Sequence, residues 1–292
     1  SIMANSLIAY LTTGGDLFIA KFRSTNPRLP PVFDIQKLTN FANDFEWHSS
    51  QPILAIKSSQ KIQIWCAPAA IFTSPELLPL LTYTPNVTFD VAELEQFDGY
   101  HVFVRSKEDA LCCVSANPFI VMVHESVETQ KNWTAVLSLC RSMDQKELWA
   151  VCAALAIQYG ELDAAQEAFS ALLMIDRVKF IAKVKRMKSQ AAKNAMVAVL
   201  QGRISEAEGL LKQGGCTFRA VKLNISLCRW DEALKIAKEA KQYIEVVCAY
   251  RTRYLRSLGA EEDNEDFLKL GPVEMESIKD TLQKEKAAEF VN

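Results

Sequence analysis

Residues 148–165 read LWAVCAALAIQYGELDAA, and they decide the fold of the second half of the chain. The apolar run from Leu148 to Tyr159 leaves little polar face, which is typical of a helix covered by neighbours on several sides. Gly160 follows where a helix of this kind needs a left-handed turn to end. A new helix is then predicted from Leu162. The stretch therefore predicts two helices that pack against each other across a short turn.

The motif that follows Gly160 recurs along the chain: a bulky apolar residue, a small polar residue, and alanine or valine two positions further on. Four copies begin at Trp133, Leu162, Ile204 and Trp230, about 26–42 residues apart, which is close to the period of helix-turn-helix repeats. The small polar residues are predicted N-caps, and two of them fit capping boxes, Ser205 with Glu208 and Asp163 with Gln166. These predicted caps are Thr134, Asp163, Ser205 and Asp231. The pattern predicts a tetratricopeptide-like α-solenoid.

The C-terminal part continues this helical pattern. Apolar residues from Tyr243 to Tyr254 keep helical spacing, and the helix is expected to end near Gly259. Trp230 is expected to anchor the last full helix pair. The acidic run 261–266 is predicted to be a solvated linker, and a terminal helix is predicted from Pro272. Its apolar stripe of Met275, Ile278 and Leu282 either caps the stack or awaits a partner.

Proline separates this helical part from a different fold. Nine of the ten prolines lie between Pro27 and Pro118, and proline breaks helix interiors. Ser6–Arg23 predicts a β-hairpin around Gly14 and Gly15. After a loop at residues 26–31, further strands are predicted at residues 41–47, 53–57, 61–66, 100–105 and 110–115.

The strand that ends in Trp65 and Cys66 is similar to the last strand of a WD40 propeller blade, with Cys66 in place of the usual aspartate. About three blades fit into this region, whereas a closed propeller needs at least four. The region is therefore either a small irregular β domain or the last blades of a longer chain, and the second interpretation is favoured. The fold class is mixed: partial β-propeller blades in residues 1–125, followed by an α-solenoid with a C-terminal helix in residues 126–292.

Composition excludes several classes of function. Lysine and arginine (33) nearly balance aspartate and glutamate (35), so the positive field that binds nucleic acid or an anionic membrane is absent. No run approaches the ~18 apolar residues of a membrane helix, and membrane insertion is not expected. The eight cysteines include no C-x-x-C and are predicted to be reduced and intracellular. Four of them lie in helical apolar stripes, Cys140, Cys152, Cys228 and Cys248.

The sequence contains no recognisable catalytic, metal-binding or phosphate-binding motif. His48, His101 and His124 lack the spacing of a metal site, and phosphate-binding loops and nucleophile elbows are absent. Adjacent Cys112 and Cys113 are interpreted as strand residues of the core rather than as nucleophiles. We therefore predict no catalytic, cofactor-binding or metal-binding residues, no cofactor and no enzyme. An enzyme or an enzyme-regulating propeller stays open as the alternative from another class.

A basic segment in the helical part allows two interpretations. It could form a face that docks an acidic partner such as a tubulin-like tail, or it could be a solvated helix face interleaved with apolar residues. The second reading is favoured because acidic residues nearby keep this part near neutral. The run comprises Arg177, Lys179, Lys183, Lys185, Arg186, Lys188 and Lys193.

Several short segments of the sequence together resemble those of a known protein family. They are residues 123–125, Trp133, residues 139–141, 148–150, 175–178, 202–208, 224–225, 230–234 and 249–251. Over roughly Phe89 to Gly259 the sequence resembles the C-terminal portion of the family of the eighty-kilodalton subunit of intraflagellar transport complex B.

The resemblance implies WD40 propellers followed by a tetratricopeptide-like solenoid. It also implies a scaffold role in cargo transport along ciliary microtubules, in the cilium or flagellum, basal body and cytoplasm. The implied partners are other subunits of the same complex, with possible self-association. A coat-like or pore-scaffold subunit of vesicle trafficking with the same domain plan is the alternative.

Overall fold

The computed structural model describes residues 7–23, 32–59 and 61–290, and the chain divides into two compact units between Ile181 and Ala182. The first unit contains the strands and the first helices, and the second contains the remaining helices. A strand-rich region followed by a helical, tetratricopeptide-like region confirms the predicted fold class.

Ten strands of the described residues form three antiparallel sheets. The first sheet has the order β1-β2-β3, the second β4-β5-β6-β7, and the third β10-β9-β8. The strands are β1 Leu7–Leu11, β2 Leu17–Arg23, β3 Val32–Thr39, β4 Asp44–Trp47, β5 Leu54–Ser58, β6 Lys61–Trp65, β7 Thr82–Tyr83, β8 Val91–Asp98, β9 His101–Ser106 and β10 Leu111–Ser115. The hairpin predicted over residues 6–23 is confirmed as β1 and β2.

Three strands were not predicted, β3, the two-residue β7 and β8. In β8 the buried residues are Val91, Leu94 and Phe97, three positions apart, because two irregularities interrupt its pairing with β9. Such spacing hides the period of two that identifies a strand. The strand predicted from Phe41 begins only at Asp44, since Phe41 has a φ of 58° and is exposed. The loop predicted at residues 26–31 lies outside the described residues.

The first two sheets share one apolar core. Leu17 and Ile19 of β2 are fully buried against Trp47 of β4 and Ile56 of β5. The third sheet packs on the second through β8, where Phe97 forms a parallel bridge with His48. Three successive antiparallel sheets that pack on one another are the arrangement expected of neighbouring propeller blades.

Twelve α-helices follow among the described residues. The first helix begins at Pro118 and ends at Gln130. The domain boundary predicted between residues 125 and 126 lies within this helix, and it stays a prediction. Consecutive helices pack in pairs, α3 with α4, α6 with α7 and α8 with α9. The helices are α1 Pro118–Gln130, α2 Trp133–Met143, α3 Lys146–Tyr159, α4 Leu162–Ala171, α5 Ile175–Lys185, α6 Gln190–Leu200, α7 Ile204–Gln213, α8 Thr217–Ser226, α9 Trp230–Ala240, α10 Ile244–Leu258, α11 Glu265–Leu270 and α12 Lys279–Glu289.

Helix α3 confirms the opening prediction most directly. All ten residues from Leu148 to Ile157 are buried, and Gly160 ends the helix with a φ of 77°. Such all-round burial is expected when a helix has neighbours on several sides, and α3 packs against α1, α2 and α4.

The predicted N-caps are wrong by two positions. Each of the four helices begins at the bulky apolar residue, so the small polar residue is the second helical residue. The cap of α2 is Asn132, whose side chain accepts a hydrogen bond from the amide of Ala135 at 3.1 Å. Asp163 and Asp231 therefore stabilise their helices as acidic groups near the positive helix end rather than as caps.

Two further predictions at the C-terminal end are corrected. The acidic run 261–266 is not a solvated linker, because Glu262 forms a two-pronged ion pair with Arg251 and Asp266 pairs with Lys238. Helix α11 begins inside the run and buries Phe267. The terminal helix begins at Lys279 rather than Pro272, after a single 3-10 turn at Met275–Ile278, and of the predicted stripe only Ile278 is buried.

Candidate partner-binding surfaces

The described residues contain no group of three or more histidine, cysteine, aspartate or glutamate side chains that could hold a metal ion. Within the same ranges no helix is both long and apolar enough to cross a membrane. The titratable residues singled out in the sequence have separate structural roles.

His48 holds the second sheet to the third. Its Nδ1 accepts hydrogen bonds from the amides of Ser50 and Gln51, at 3.1 and 3.0 Å, so the proton is on Nε2. Nε2 donates to the carbonyl oxygen of Gly99 at 2.7 Å. Both ring nitrogens are used by the backbone, and His48 acts as a structural link.

His124 of α1 is fully buried and joins this helix to the second sheet. Its Nε2 lies 2.7 Å from the carbonyl oxygen of Cys66, just beyond β6. Burial lowers the pKa of His124 to about 4, because the charged imidazolium would lose its hydration. Burial also raises the pKa of the Cys66 thiol well above its usual range, and this keeps Cys66 unreactive.

Cys112 and Cys113 lie on opposite faces of the edge strand β10, but Cys113 is exposed and not a core residue. Its Sγ lies 3.1 Å from Nδ1 of His101 on β9. The sequence did not reveal this contact because the two residues are brought together only by the strand register, in which Cys113 pairs with Phe103.

Three of the four helical cysteines are buried as predicted, Cys140, Cys152 and Cys248. Cys228 is exposed, which corrects the prediction. It follows the end of α8 in a left-handed conformation with a φ of 55°, where the chain turns toward α9.

The basic run 177–193 does not form one continuous free face. The guanidinium of Arg177 pairs with Glu76 and lies 6.0 Å from the ring centre of Phe169. Lys183 lies 5.4 Å from the ring centre of Phe290. These contacts divide the run among separate local interactions.

The outer face of the first sheet is an apolar surface that the sequence did not reveal. On β2, Leu17 and Ile19 are buried, whereas Phe18 and Phe22 alternate with them and point outward. The strand register continues this outer face through Ile8 and Tyr10 of β1 and through Phe33 and Ile35 of β3.

Aromatic contacts order this outer face. The rings of Tyr10 and Phe18 stack with centres 5.3 Å apart and planes within 9°, and those of Phe22 and Phe33 are 5.6 Å apart. Tyr10, Phe22, Phe33 and Ile35 are each 39–51% exposed. An antiparallel sheet usually carries polar residues on its solvated side, so an apolar outer side is suited to bind another protein surface.

A second surface with unusual composition lies in the helical unit, where α12 folds back on α8. Arg219 of α8 forms an ion pair with Glu289, and both side chains are only 14% exposed. The hydroxyl of Tyr243 donates to Glu285 at 2.9 Å. Burial and this carboxylate raise the pKa of Tyr243 to about 12, which keeps the hydroxyl protonated as a donor.

Two family models match the chain over regions that agree with its two kinds of structure. Residues 3–119 match the model described as "IFT80 second beta-propeller". Residues 148–290 match the model described as "IFT80/172/WDR35/WDR19 TPR domain".

Curated relatives carry related names. The chain is 29% identical to the rat intraflagellar transport protein 80 homolog and 28% identical to the mouse protein, over 95% of the chain and 36% of each relative. It is 21% identical to the Caenorhabditis elegans intraflagellar transport protein osm-1, over 76% of the chain and 13% of that protein. The chain thus spans about a third of the rat and mouse relatives.

Proposed function

Because the chain belongs to the IFT80 family of intraflagellar transport proteins, we propose that it is a non-enzymatic scaffold subunit of intraflagellar transport complex B. In this role it supports cargo transport along ciliary microtubules and assembly of the cilium. Its partners are other subunits of the complex, and its locations are the cilium, the basal body and the cytoplasm.

The observation that carries the proposal is the apolar outer face of the first sheet. Tyr10, Phe22, Phe33 and Ile35 expose large apolar side chains on one side of a sheet whose other side is already a complete core. Burial of such a surface contributes roughly 25 cal/mol per Å². A protein surface of the transport complex is the occupant we assign to this face.

A non-catalytic role is supported by the use of the histidines. His48 and His124 each bind backbone carbonyl groups, and His124 has too low a pKa to act as a base near neutral pH. The structural roles of these residues account for their burial without a substrate.

The test is an affinity purification of the tagged chain from ciliated cells, with the co-purified proteins identified by mass spectrometry. We expect subunits of the intraflagellar transport complex in the eluate. The double variant Phe33→Ser and Ile35→Ser should recover them poorly, because it removes two exposed apolar side chains from the outer face of the first sheet. Leu258→Ser is the matched control, since Leu258 is 61% exposed in the helical unit. An eluate without any transport subunit would contradict the proposal.

A further inference from the structure

Helix α12 is held in place without an apolar core of its own. None of its residues is buried. An isolated helix of about eleven residues is marginal in water, so the order of α12 depends on its contacts with the rest of the helical unit. Those contacts are polar and are concentrated at its C-terminal end.

The end of α12 is recognised by charge and by an aromatic ring. The carboxylate of Glu289 pairs with the guanidinium of Arg219 through two nitrogen–oxygen contacts. The ring of Phe290 lies near two cations, 5.4 Å from Nζ of Lys183 and 5.8 Å from the guanidinium carbon of Arg219. A glutamate followed by an aromatic residue therefore satisfies both kinds of contact at once.

The main chain is recognised as well. The amide of Lys188 donates to the carbonyl oxygen of Glu289 at 2.9 Å, and Met187 forms an antiparallel bridge with Phe290. The ammonium group of Lys188 donates to the carbonyl oxygen of Ala287 at 3.3 Å. Backbone pairing of this kind gives affinity for any extended peptide, while side-chain contacts give specificity.

The surface around the end of α12 carries more positive charge than α12 neutralises. Its cations are Lys183, Lys188, Arg219 and Lys222, whereas α12 contributes the carboxylates of Glu285 and Glu289 together with the ammonium group of Lys286. Burial and the adjacent Arg219 lower the pKa of Lys183, which is the result expected where cations crowd together. A cavity of about 310 Å³ adjoins the helix and leaves room for a bulkier occupant.

We propose that this surface is a docking groove for a peptide of a partner protein in which a glutamate directly precedes an aromatic residue, and that residues 285–290 occupy the groove within the chain. Partner binding then exchanges one segment for the other. The proposal concerns a peptide-binding activity of the helical unit and does not depend on the transport role.

The test uses the full chain with Glu285→Lys and Glu289→Lys, which places positive charge against Arg219 and Tyr243 and releases α12. The probe is a fluorescent synthetic peptide with the sequence of residues 279–290, KDTLQKEKAAEF. We expect fluorescence anisotropy to show at least ten-fold tighter binding to this variant than to the unchanged chain. A peptide with alanine in place of its final phenylalanine should bind at least ten-fold more weakly.

Adding Arg219→Ala to the released variant should abolish binding, whereas adding Lys212→Ala should preserve it, because Lys212 is exposed on α7. Equal binding to the released and the unchanged chain, or binding that survives Arg219→Ala, overturns the proposal.

If the released variant does not fold, hydrogen exchange of the unchanged chain tests whether a peptide displaces α12 from the groove. Excess peptide should accelerate amide exchange in residues 279–289 of the chain and leave α3 protected. Exchange in α12 that stays the same at saturating peptide would show that the groove does not exchange its occupant.

Discussion

Nε2 of His124 donates to the carbonyl oxygen of Cys66 at 2.7 Å, and both residues are completely buried. This hydrogen bond fixes the first helix to the end of a propeller-like strand. Asn117 adds a second link, since its amide donates to the hydroxyl oxygen of Tyr83 at 2.7 Å. The change from strand to helix therefore takes place inside one compact unit.

From the buried His124 we predict that the protein loses stability in mild acid. Its pKa falls from 6.5 to about 4 on folding, so the unfolded chain binds more protons between these values. Stability is thus complete above about pH 6.5 and decreases as the pH falls toward 4, by at most ~3 kcal/mol for this group. Urea unfolding of the chain and of His124→Gln across this range measures the effect. The variant should be less stable at pH 8 and should show a shallower decline; parallel curves would refute the prediction.

Asn117 predicts a cost when the cap of α1 is removed. Its Oδ1 accepts from the amide of Phe119 at 3.0 Å, and its Nδ2 donates to Gln145 at 3.3 Å. Asn117→Ala should destabilise the first unit by ~1–2 kcal/mol in urea unfolding, whereas Asn117→Asp keeps the capping oxygen and should recover about half of that loss. An aspartate variant as unstable as the alanine variant would contradict a capping role.

We predict that the substitution of glycine by alanine has opposite effects on stability at Gly214 and at Gly209. A Cβ at Gly214 would overlap the Cβ of Ala191 on α6, whereas one at Gly209 within α7 meets open space. Gly214→Ala should therefore cost ~1–3 kcal/mol through overpacking. Gly209→Ala should stabilise the helical unit by ~0.5–1 kcal/mol. Melting temperatures of the two variants compared with the unchanged chain test the pair, and shifts of the same sign would disagree with this packing.

Trp230 predicts a moderate loss because its ring is only half-buried. It lies 5.2 Å from the ring of Tyr254 and 5.5 Å from the guanidinium carbon of Arg251. Trp230→Ala should cost ~2 kcal/mol, below the ~3–5 kcal/mol expected for buried Trp149→Ala. Hydrogen exchange should show earlier opening of α9–α11 in Trp230→Ala, and unchanged exchange there would rule out an anchoring role.

Local signals made much of the fold predictable. The unbroken apolar run of α3, the turn at Gly160 and the hairpin around Gly15 each depend on neighbours in sequence, and each was found in the structure. The positions of the caps were not predictable at this precision, because a small polar residue stabilises the first helical turn as well as the position before it.

The candidate surfaces were less predictable than the fold. The alternation of Leu17 and Ile19 with Phe18 and Phe22 is a local signal for a strand that is apolar on both sides. Which side faces solvent depends on the packing of the first sheet against the second. The contact between Cys113 and His101 and the role of the acidic run likewise depend on strand register and on helices distant in sequence.

The sequence by itself determined the two kinds of structure in this chain, because strand and helix periodicity and turn residues are local properties. The sequence also carries the matches to two family models, over residues 3–119 and 148–290. Only the tertiary structure decided which side chains remain exposed. Burial depends on contacts between residues that are far apart in the sequence. The exposed outer face of the first sheet and the ion pair between Glu289 and Arg219 both result from such contacts, which no local sequence pattern specifies.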